Sequence, residues 1–489
     1  MSNLKSLAKD TAIYGLSSIV GRFLNYLLVP LYTHYMPKDS GDYGISTNMY
    51  AYTALILVLL TFGMETTLFR FANDDKCKPD TVFSTAFATV GSLTAIFLLL
   101  VFGFISPICN AIGYTEHPDY LLMMAVVVAL DAIQALPFSY LRFQKRAIMF
   151  ASLKMLFIII NIALNVIYFV CLGKTSVFYV FFINLLCTAF ITFFFVPDLF
   201  RIRWNFDWKL LRRMLSYSWP ILILGVAGIL NQVADKIIFP LVYPDEADAN
   251  VQLGIYGSCV KIAMIMAMIT QAFRFAYEPI VFAGVKDKDQ HEMYVQAMKY
   301  FIIFTLLAFL LVVGYMDILK YIVRNEDYWV GLKVVPIVMA AEIMMGIYFN
   351  LSFWYKIIDK TIWGAVFSGI GCVALLAVNV IFVPVYGYMA CAWGGVVGYG
   401  VAMLVSYFVG QKYYPLAYPL KEIGIYVVMA VVLTMAMYKV HEDQPMWLSL
   451  TVNTLLVSIF VAYIVWRDLP LDRLPVVGRY FRKPVRKIK

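Results

Sequence analysis

The apolar residues of this chain come in a succession of stretches, each about twenty residues or longer. A helix rises about 1.5 Å per residue, so a stretch of this length crosses a hydrocarbon core of roughly 30 Å. Lipid offers the backbone no hydrogen bonds, so the stretches are expected to be helices. Fourteen spans are predicted, at residues 11–35, 42–66, 82–109, 118–141, 148–171, 175–197, 214–241, 252–282, 292–316, 328–354, 361–383, 388–411, 420–438 and 446–466.

Composition supports an all-α polytopic membrane protein. Of 489 residues, 62% are hydrophobic and 14% charged, whereas soluble domains are about 45–50% apolar and about 25% charged. No long polar insertion leaves room for a soluble catalytic domain or a nucleic-acid-binding module. The first stretch is too long for a signal-peptide core, contains Arg22 and lacks a small-residue cleavage motif, so we expect it to remain as the first span.

The sequence contains no motif for catalysis or for a cofactor. The seven cysteines are scattered without CxxC or Cys/His ligand spacing, which argues against a disulfide framework and a metal site. The four histidines lie at span ends, and neither a nucleophile triad nor a phosphate-binding glycine loop is present. We therefore predict a protein that is not an enzyme and has no cofactor.

Lysine and arginine are concentrated in every second connection between spans. Such residues are enriched in cytoplasmic loops, so the alternation predicts that both termini are cytoplasmic. The segment after Trp466 contains eight Lys or Arg residues, which accounts for most of the net charge of +9. We interpret this tail as an anchor on anionic membrane lipids and not as a nucleic-acid interface.

An internal repeat divides the chain. The segment Gly41-Asp-Tyr43-Gly44, followed by Glu65 after twenty residues, recurs as Gly254-Ile-Tyr256-Gly257, followed by Glu278 at the same spacing. The two copies have the same predicted orientation, which indicates lobes related by a pseudo-two-fold axis along the membrane normal. We predict six-helix lobes at residues 1–200 and 201–415, two further helices at 416–466 and a basic tail at 467–489.

Charges within spans are functional candidates, because each costs about 2.5–3.5 kcal/mol at a helix centre on insertion scales. Arg22 lies in the first span with Asn25 on the same helical face, and no acid in that helix neutralises it. It either faces a cavity that receives an anion or pairs with another span.

Spans seven and eight carry a second polar face. Asp235 and Lys236 are adjacent in span seven, and Lys261 enters span eight at a similar depth. Asp235 is equally compatible with a functional role and with neutralising Lys236 or Lys261. Arg274 and Glu278 follow on one face of span eight, where they are spaced for an ion pair.

The remaining acids in spans suggest ion coupling or ion pairing. The carboxylates in question are Asp131, Asp235, Glu278 and Glu342. Glu65 and Arg70 end the second span, where they suit a cytoplasmic gate or an interfacial anchor. The bases Arg22, Lys236, Lys261 and Arg274, with Asn25, predict a cationic cavity for a phosphate or diphosphate group.

The chain resembles the polysaccharide-export (Wzx-type) oligosaccharide flippases. The resemblance lies in Leu7-Ala-Lys9-Asp-Thr-Ala-Ile-Tyr14, Pro30-Leu-Tyr32-Thr, Gly41-Asp-Tyr43-Gly44, Asn231-Gln-Val-Ala-Asp235-Lys236 and Gly254-Ile-Tyr256-Gly257. Their superfamily also contains multidrug antiporters and the lipid II flippase, and its pattern is two six-helix lobes around a cavity, often with two extra helices.

The resemblance implies a flippase for undecaprenyl-diphosphate-linked oligosaccharides in the bacterial inner membrane, working by alternating access without ATP. The glycan product, whether capsule, O-antigen or exopolysaccharide, is left open, and polymerase machinery is a further expected partner. A cation-coupled multidrug antiporter and a lipid II flippase are the alternatives. The absence of an acid between Asp10 and Asp39 departs from one branch of drug extruders, which uses a first-helix carboxylate.

Overall fold

The computed structural model describes residues 26–201, 204–283, 290–358 and 360–468, and it contains no strand in that part of the chain. Thirteen of its helices are long and apolar enough to cross a membrane. Residues 11–25 of the first predicted span lie outside the described residues. The all-α polytopic class is confirmed, while the count of fourteen and the two-lobe symmetry stay predictions.

The helices follow one another through short connections. Most helices are long enough to span, namely α2 Asp42–Thr61, α4 Pro79–Gly103, α6 Pro118–Phe143, α7 Ala147–Val166, α8 Phe178–Arg201, α9 Trp208–Val242, α10 Glu246–Ala283, α11 Gln290–Gly314, α13 Val335–Leu351, α15 Ile362–Tyr386, α16 Tyr388–Tyr413, α17 Leu420–Asp443 and α18 Met446–Arg467. Shorter helices precede or extend them, namely α1 Leu28–Tyr35, α3 Met64–Ala72, α5 Ile105–Ile112, α12 Met316–Leu319 and α14 Phe353–Ile357.

Local sequence explains where several helices begin and break. Pro79 and Pro118 begin α4 and α6, at the position where a missing N–H has no cost. The second predicted span is interrupted at Phe62 and Gly63, whose φ angles of 49° and 67° are left-handed. This interruption separates α2 from α3 and places Glu65 on the shorter helix.

Small residues allow α2 to pack closely against α10. A Cβ on Gly44 would lie 1.8 Å from the carbonyl oxygen of Asn250, and one on Gly257 would lie 2.5 Å from the Thr47 hydroxyl. A Cβ on Gly254 would lie 3.1 Å from the Gly44 nitrogen. The two copies of the repeated sequence motif therefore meet in the structure, and we call this contact the glycine seam.

Asn48 joins α2 to α9 beside the glycine seam. Its buried amide donates to the backbone carbonyl of Lys236 at 2.7 Å and accepts a hydrogen bond from the Tyr114 hydroxyl at 2.9 Å. A buried amide satisfied on both sides fixes the register of the helices it joins. Lys236 is thereby held at a defined height on α9.

The chain divides into two compact units. The first consists of residues 1–268 and 322–413, and the second of residues 269–321 and 414–489. The domain boundaries given by the sequence repeat stay predictions.

The second unit is fastened at both ends of its long helices. Lys299 on α11 donates to Glu422 on α17 at 2.6 Å and also to Asp468, which follows α18. At the opposite end of α11, the Asn453 amide of α18 donates to the Gly314 carbonyl at 2.9 Å.

The charge of Asp468 is stabilised by its neighbours. Burial acts to raise the pKa of its carboxyl group, but hydrogen bonds from Lys299 and Tyr426 and the charges of Lys299 and Arg467 outweigh burial. The pKa is therefore held below its usual value. This contribution to stability is present above the unfolded pKa and is lost as pH falls through the lower folded pKa.

The glycine seam predicts the effect of adding a single methyl group. Gly44→Ala should destabilise the protein by about 1–3 kcal/mol, because the new Cβ meets backbone atoms that have no room to yield. Gly91→Ala is the matched control, since nothing lies within 4 Å of its Cβ and alanine favours a helix interior by about 1 kcal/mol. Thermal melting of the purified proteins, followed by tryptophan fluorescence, measures both. If Gly44→Ala melted at the same temperature as the wild type, the close packing at the glycine seam would be contradicted.

Asp468 predicts a pH-dependent stability. Asp468→Asn should lower the melting temperature at pH 7, because about 1.5–3 kcal/mol of charge-assisted hydrogen bonding is lost. The difference from the wild type should begin to shrink below about pH 4, the usual pKa of an aspartate, and should vanish once the pH falls through the lower pKa of the native carboxylate. Asp75→Asn, which changes an exposed carboxylate, is the control and should melt like the wild type. A pH-independent difference would show that the ionised carboxylate is not responsible.

Candidate functional site

Asp235 is a buried carboxylate on α9 with three hydrogen-bond contacts. The Lys236 ammonium lies 3.0 Å from each of its oxygens, and the Tyr256 hydroxyl of α10 donates to Oδ2 at 2.8 Å. Of the two bases that the sequence left open as partners, Lys236 is the one in contact with Asp235. The structure thus favours a neutralised pair at this position.

Lys236 uses its hydrogen-bonding capacity within the protein. Besides Asp235, its ammonium donates to the carbonyl of Gln232 at 3.0 Å, one turn earlier on α9. The ammonium has three N–H donors, and three acceptor atoms surround it. A ligand anion would therefore have to compete with acceptors that already hold this lysine.

Lys261 and Glu342 complete the group. Both are half-buried and interact electrostatically with Lys236, Lys261 as a like charge and Glu342 as an opposite one. Within the described ranges neither side chain has a hydrogen bond or an ion pair. We call Asp235, Lys236, Tyr256, Lys261 and Glu342 the Asp235 cluster.

Helices from later in the chain support the cluster. One turn before Asp235, the Asn231 amide donates to the carbonyl and hydroxyl oxygens of Ser368 on α15 at 2.9 and 3.0 Å. The Tyr399 hydroxyl of α16 donates to the Asn231 carbonyl at 2.9 Å. These bonds hold α9 against α15 and α16, so the cluster rests on a fixed helix face.

A second set of charges surrounds a cavity of about 360 Å³ between α2, α3, α6, α7 and α8. Glu65, Asp131, Arg142 and Lys154 line it. The Ser139 hydroxyl donates to Glu65 at 3.3 Å, and Lys154 lies 4.1 Å from the centre of the Phe138 ring. We call this space the Asp131 cavity.

The other predicted residues are not brought into these two groups. Arg22 and Asn25 lie outside the described residues. Arg274 is half-buried on α10 in the second unit, and the side chain of Glu278 on that helix is outside the described part. The roles proposed for these four residues stay predictions.

The proposed gate residues Glu65 and Arg70 do not form a pair with each other in the described structure. Glu65 lines the Asp131 cavity, whereas Arg70 is exposed and stacks over the Tyr217 ring at 4.1 Å. Their joint role as a gate stays a prediction.

Charge in both groups is balanced. The Asp235 cluster contains two acids and two bases, and so does the lining of the Asp131 cavity. The positive bias predicted from the sequence is thus not a property of the Asp235 cluster taken alone. The members differ in their ion pairing. Asp235 and Lys236 pair with each other, whereas Lys261 has no ion pair in the described residues.

Three functional candidates are visible only in the structure. Lys154 and Arg142 are not among the residues that the sequence singles out, yet both line the Asp131 cavity. Tyr256 belongs to the repeated motif, but only the structure places its hydroxyl on Asp235. The recurrence of tyrosine in both copies was the available signal.

Within residues 26–468, apart from the gaps already given, no group of three or more His, Cys, Asp or Glu residues is arranged to hold a metal ion.

The fold is that of known membrane transporters. The structure is similar to the lipid II flippase MurJ in an inward closed conformation, with a TM-score of 0.72 and 14% identity, covering 94% of this chain and 99% of that one. It is also similar to an inward-facing multidrug resistance MATE family transporter of the MOP superfamily, with a TM-score of 0.66 and 14% identity, covering 80% of this chain and 94% of that one. A third similar structure is a MOP superfamily transporter from Pyrococcus furiosus, which is described by a reversed polarity of its binding pocket. Its TM-score is 0.55 at 15% identity, covering 83% of this chain and 95% of that one.

Sequence comparison identifies the family. No curated protein matches the chain. The family model described as polysaccharide biosynthesis protein matches residues 39–324, more than half of the chain. This range contains both copies of the repeated motif and also Asp131, Asp235 and Lys261. This multi-pass membrane protein therefore belongs to the polysaccharide biosynthesis protein family.

Proposed function

We propose that this protein is a flippase that moves undecaprenyl-diphosphate-linked oligosaccharides from the cytoplasmic to the periplasmic leaflet of the bacterial inner membrane. It works by alternating access and performs no covalent chemistry. Membership of a polysaccharide biosynthesis family supports the substrate class. A fold shared with a lipid II flippase supports the type of movement.

The proposal depends most on Lys261, which lies within a span without a partner in the described residues. A charged side chain at the centre of a span costs about 2.5–3.5 kcal/mol on insertion scales, so it is normally paired or used. Lys236 is paired with Asp235, whereas Lys261 has no ion pair or hydrogen bond in the part of the chain described. A diphosphate would supply the missing partner through charge-assisted hydrogen bonds.

Further groups are proposed from the sequence alone. Arg22, Asn25 and Arg274 are proposed as additional contacts to the diphosphate, and Lys236 would join if the substrate displaced it from Asp235. Among the carboxylates proposed for ion coupling, Glu342 and Asp131 have hydrogen-bonding capacity left for a proton or cation, while Asp235 is occupied by Lys236 and Tyr256.

The glycine seam suits a gate. It involves the start of α2 and the first third of α10, on the side of the helices that charge alternation predicts to be periplasmic. Contacts between glycine surfaces are van der Waals contacts, so they separate without stripping a charge of its partner. Opening the seam would release substrate towards the periplasm, with Glu65 and Arg70 proposed for the cytoplasmic side.

Partners follow from the same proposal. The lipid-linked oligosaccharide is the substrate, anionic lipids would hold the basic tail at 467–489, and polymerase machinery would consume the product. No role in nucleic-acid binding is proposed.

Two related functions compete. The similarity to a multidrug resistance transporter, together with the acids of the Asp235 cluster, favours a cation-coupled multidrug antiporter. The similarity to MurJ over 99% of that chain favours a lipid II flippase.

Lipid analysis of a deletion strain separates the three functions. The proposal predicts that undecaprenyl-diphosphate-linked oligosaccharide accumulates while surface polysaccharide disappears, because the precursor is trapped in the cytoplasmic leaflet. Accumulation of lipid II instead would identify a lipid II flippase. An unchanged lipid pool with altered drug sensitivity would identify the antiporter.

Lys261 gives a residue-level prediction. Lys261→Met should lower polysaccharide export at least tenfold, because a hydrogen bond to a charged group contributes about 1.5–3 kcal/mol and each 1.4 kcal/mol is about a factor of ten. Lys261→Arg should restore part of the export. Surface polysaccharide is quantified at equal protein level in the membrane.

The matched control is Lys174→Met, which removes an exposed lysine between α7 and α8 and should export normally. Wild-type export by Lys261→Met would exclude Lys261 as the anion-binding group.

A further inference from the structure

We propose that the Asp131 cavity is a saccharide-binding subsite that takes one neutral glycosyl residue. This inference rests on the proposed function, because it assigns a second site to the sugar part of the same substrate. The subsite differs from the Asp235 cluster in its position and in the chemical groups that it would bind.

The charged groups of the cavity leave their hydrogen-bonding capacity to a ligand. Lys154 interacts electrostatically with Asp131 and Glu65, and Arg142 interacts with Glu65. Yet no ion pair joins any two of the four in the described residues. The side chains of Asp131, Arg142 and Lys154 also make no hydrogen bond there, and Glu65 accepts one, from Ser139.

A structural salt-bridge network would look different. In such a network the charges offset their desolvation by direct contact, as Lys299, Glu422 and Asp468 do in the second unit. Around the Asp131 cavity, four charges are instead gathered without direct contact, and of these Glu65 and Asp131 are half-buried while Arg142 and Lys154 are exposed. The desolvation cost therefore falls on the two carboxylates, and it is explained if a polar ligand completes them.

Charge balance selects the class of ligand. Two carboxylates and two bases give the lining no net charge, so neither a diphosphate nor a drug cation is favoured as a whole. A sugar hydroxyl is both a donor and an acceptor. It can donate to Asp131 or Glu65 while it accepts from Lys154 or Arg142, so a ring with several hydroxyls would satisfy all four groups.

The apolar part of the lining matches a pyranose face. Phe138, Phe150 and Phe157 form part of the wall, and the Lys154 ammonium lies over the Phe138 ring. The C–H face of a sugar is apolar and packs on aromatic surfaces. The cavity volume of about 360 Å³ falls in the lower part of the range of roughly 300–1,000 Å³ for small-molecule sites, which fits a single small ring.

The wall that carries Asp131 is rigid. Three residues further along α6, the Gln134 amide donates to the Thr188 carbonyl and the Thr192 hydroxyl of α8, both at 2.8 Å. These bonds lock α6 against α8 on the helix face that Asp131 shares. A preorganised wall lowers the entropic cost of binding.

Saturation-transfer NMR on the full-length protein in nanodiscs tests the subsite. The probes are methyl glycosides of neutral hexoses and N-acetylhexosamines. The wild type should transfer saturation to at least one of them. Ala135→Leu, which fills the cavity without removing a charge, and Lys154→Met should each weaken the transfer at least tenfold.

Ala163→Leu adds the same bulk at an exposed position of α7 and should transfer like the wild type. Absence of transfer from the wild type to every glycoside would overturn the inference. Unchanged transfer in both Ala135→Leu and Lys154→Met would overturn it as well.

The outcomes separate this inference from the proposed function. Lipid-linked oligosaccharide accumulating in the deletion strain, with no glycoside binding to the protein, leaves the flippase intact and removes the subsite. Glycoside binding that depends on Ala135 and Lys154, with an unchanged lipid pool, keeps the subsite and removes the flippase.

Discussion

A hydrocarbon core offers no water to polar groups, and this constraint determines the rest of the structure. Backbone N–H and C=O groups are satisfied inside long helices. Side-chain charges within this core cost free energy, so their positions point to structural pairs or functional sites. In the first unit they gather at the Asp235 cluster and at the Asp131 cavity. In the Asp235 cluster, Asp235 and Lys236 form an ion pair, whereas Lys261 has no partner among the described residues. In the Asp131 cavity, no two of the described charges form an ion pair.

The glycine seam gives these charged groups a common frame. Because Gly44, Gly254 and Gly257 lack side chains, α2 and α10 approach until backbone meets backbone. Asn48 then bonds to the Lys236 carbonyl, which couples the seam directly to the Asp235 cluster. A movement that opens the seam would therefore change the surroundings of Lys236. In the proposed flippase, this is the physical route that would link substrate binding to alternating access within one unit.

The helices were predictable from sequence because apolar length alone determines a span, and 118–141 was predicted where α6 occupies Pro118–Phe143. The break at Phe62 and Gly63 was not, since it depends on two backbone angles inside a continuous apolar run. The sequence left Lys236 and Lys261 open as partners of Asp235, because spacing rules do not show whether the long side chain of the neighbouring Lys236 curls back onto the carboxylate, as it does in the structure. Lys154 and Asp131 line the same cavity only because α6 and α7 pack together, which periodicity within one helix does not encode.

Translocation by the purified protein in liposomes tests the central claim most directly. Undecaprenyl-diphosphate-linked oligosaccharide is incorporated in both leaflets, and a membrane-impermeant glycosidase is added outside. The account predicts that all of the substrate becomes accessible at a rate that increases with the amount of protein, while protein-free liposomes stop at the outer half. Accessibility that stays at the outer half, with folded protein present, would contradict the account.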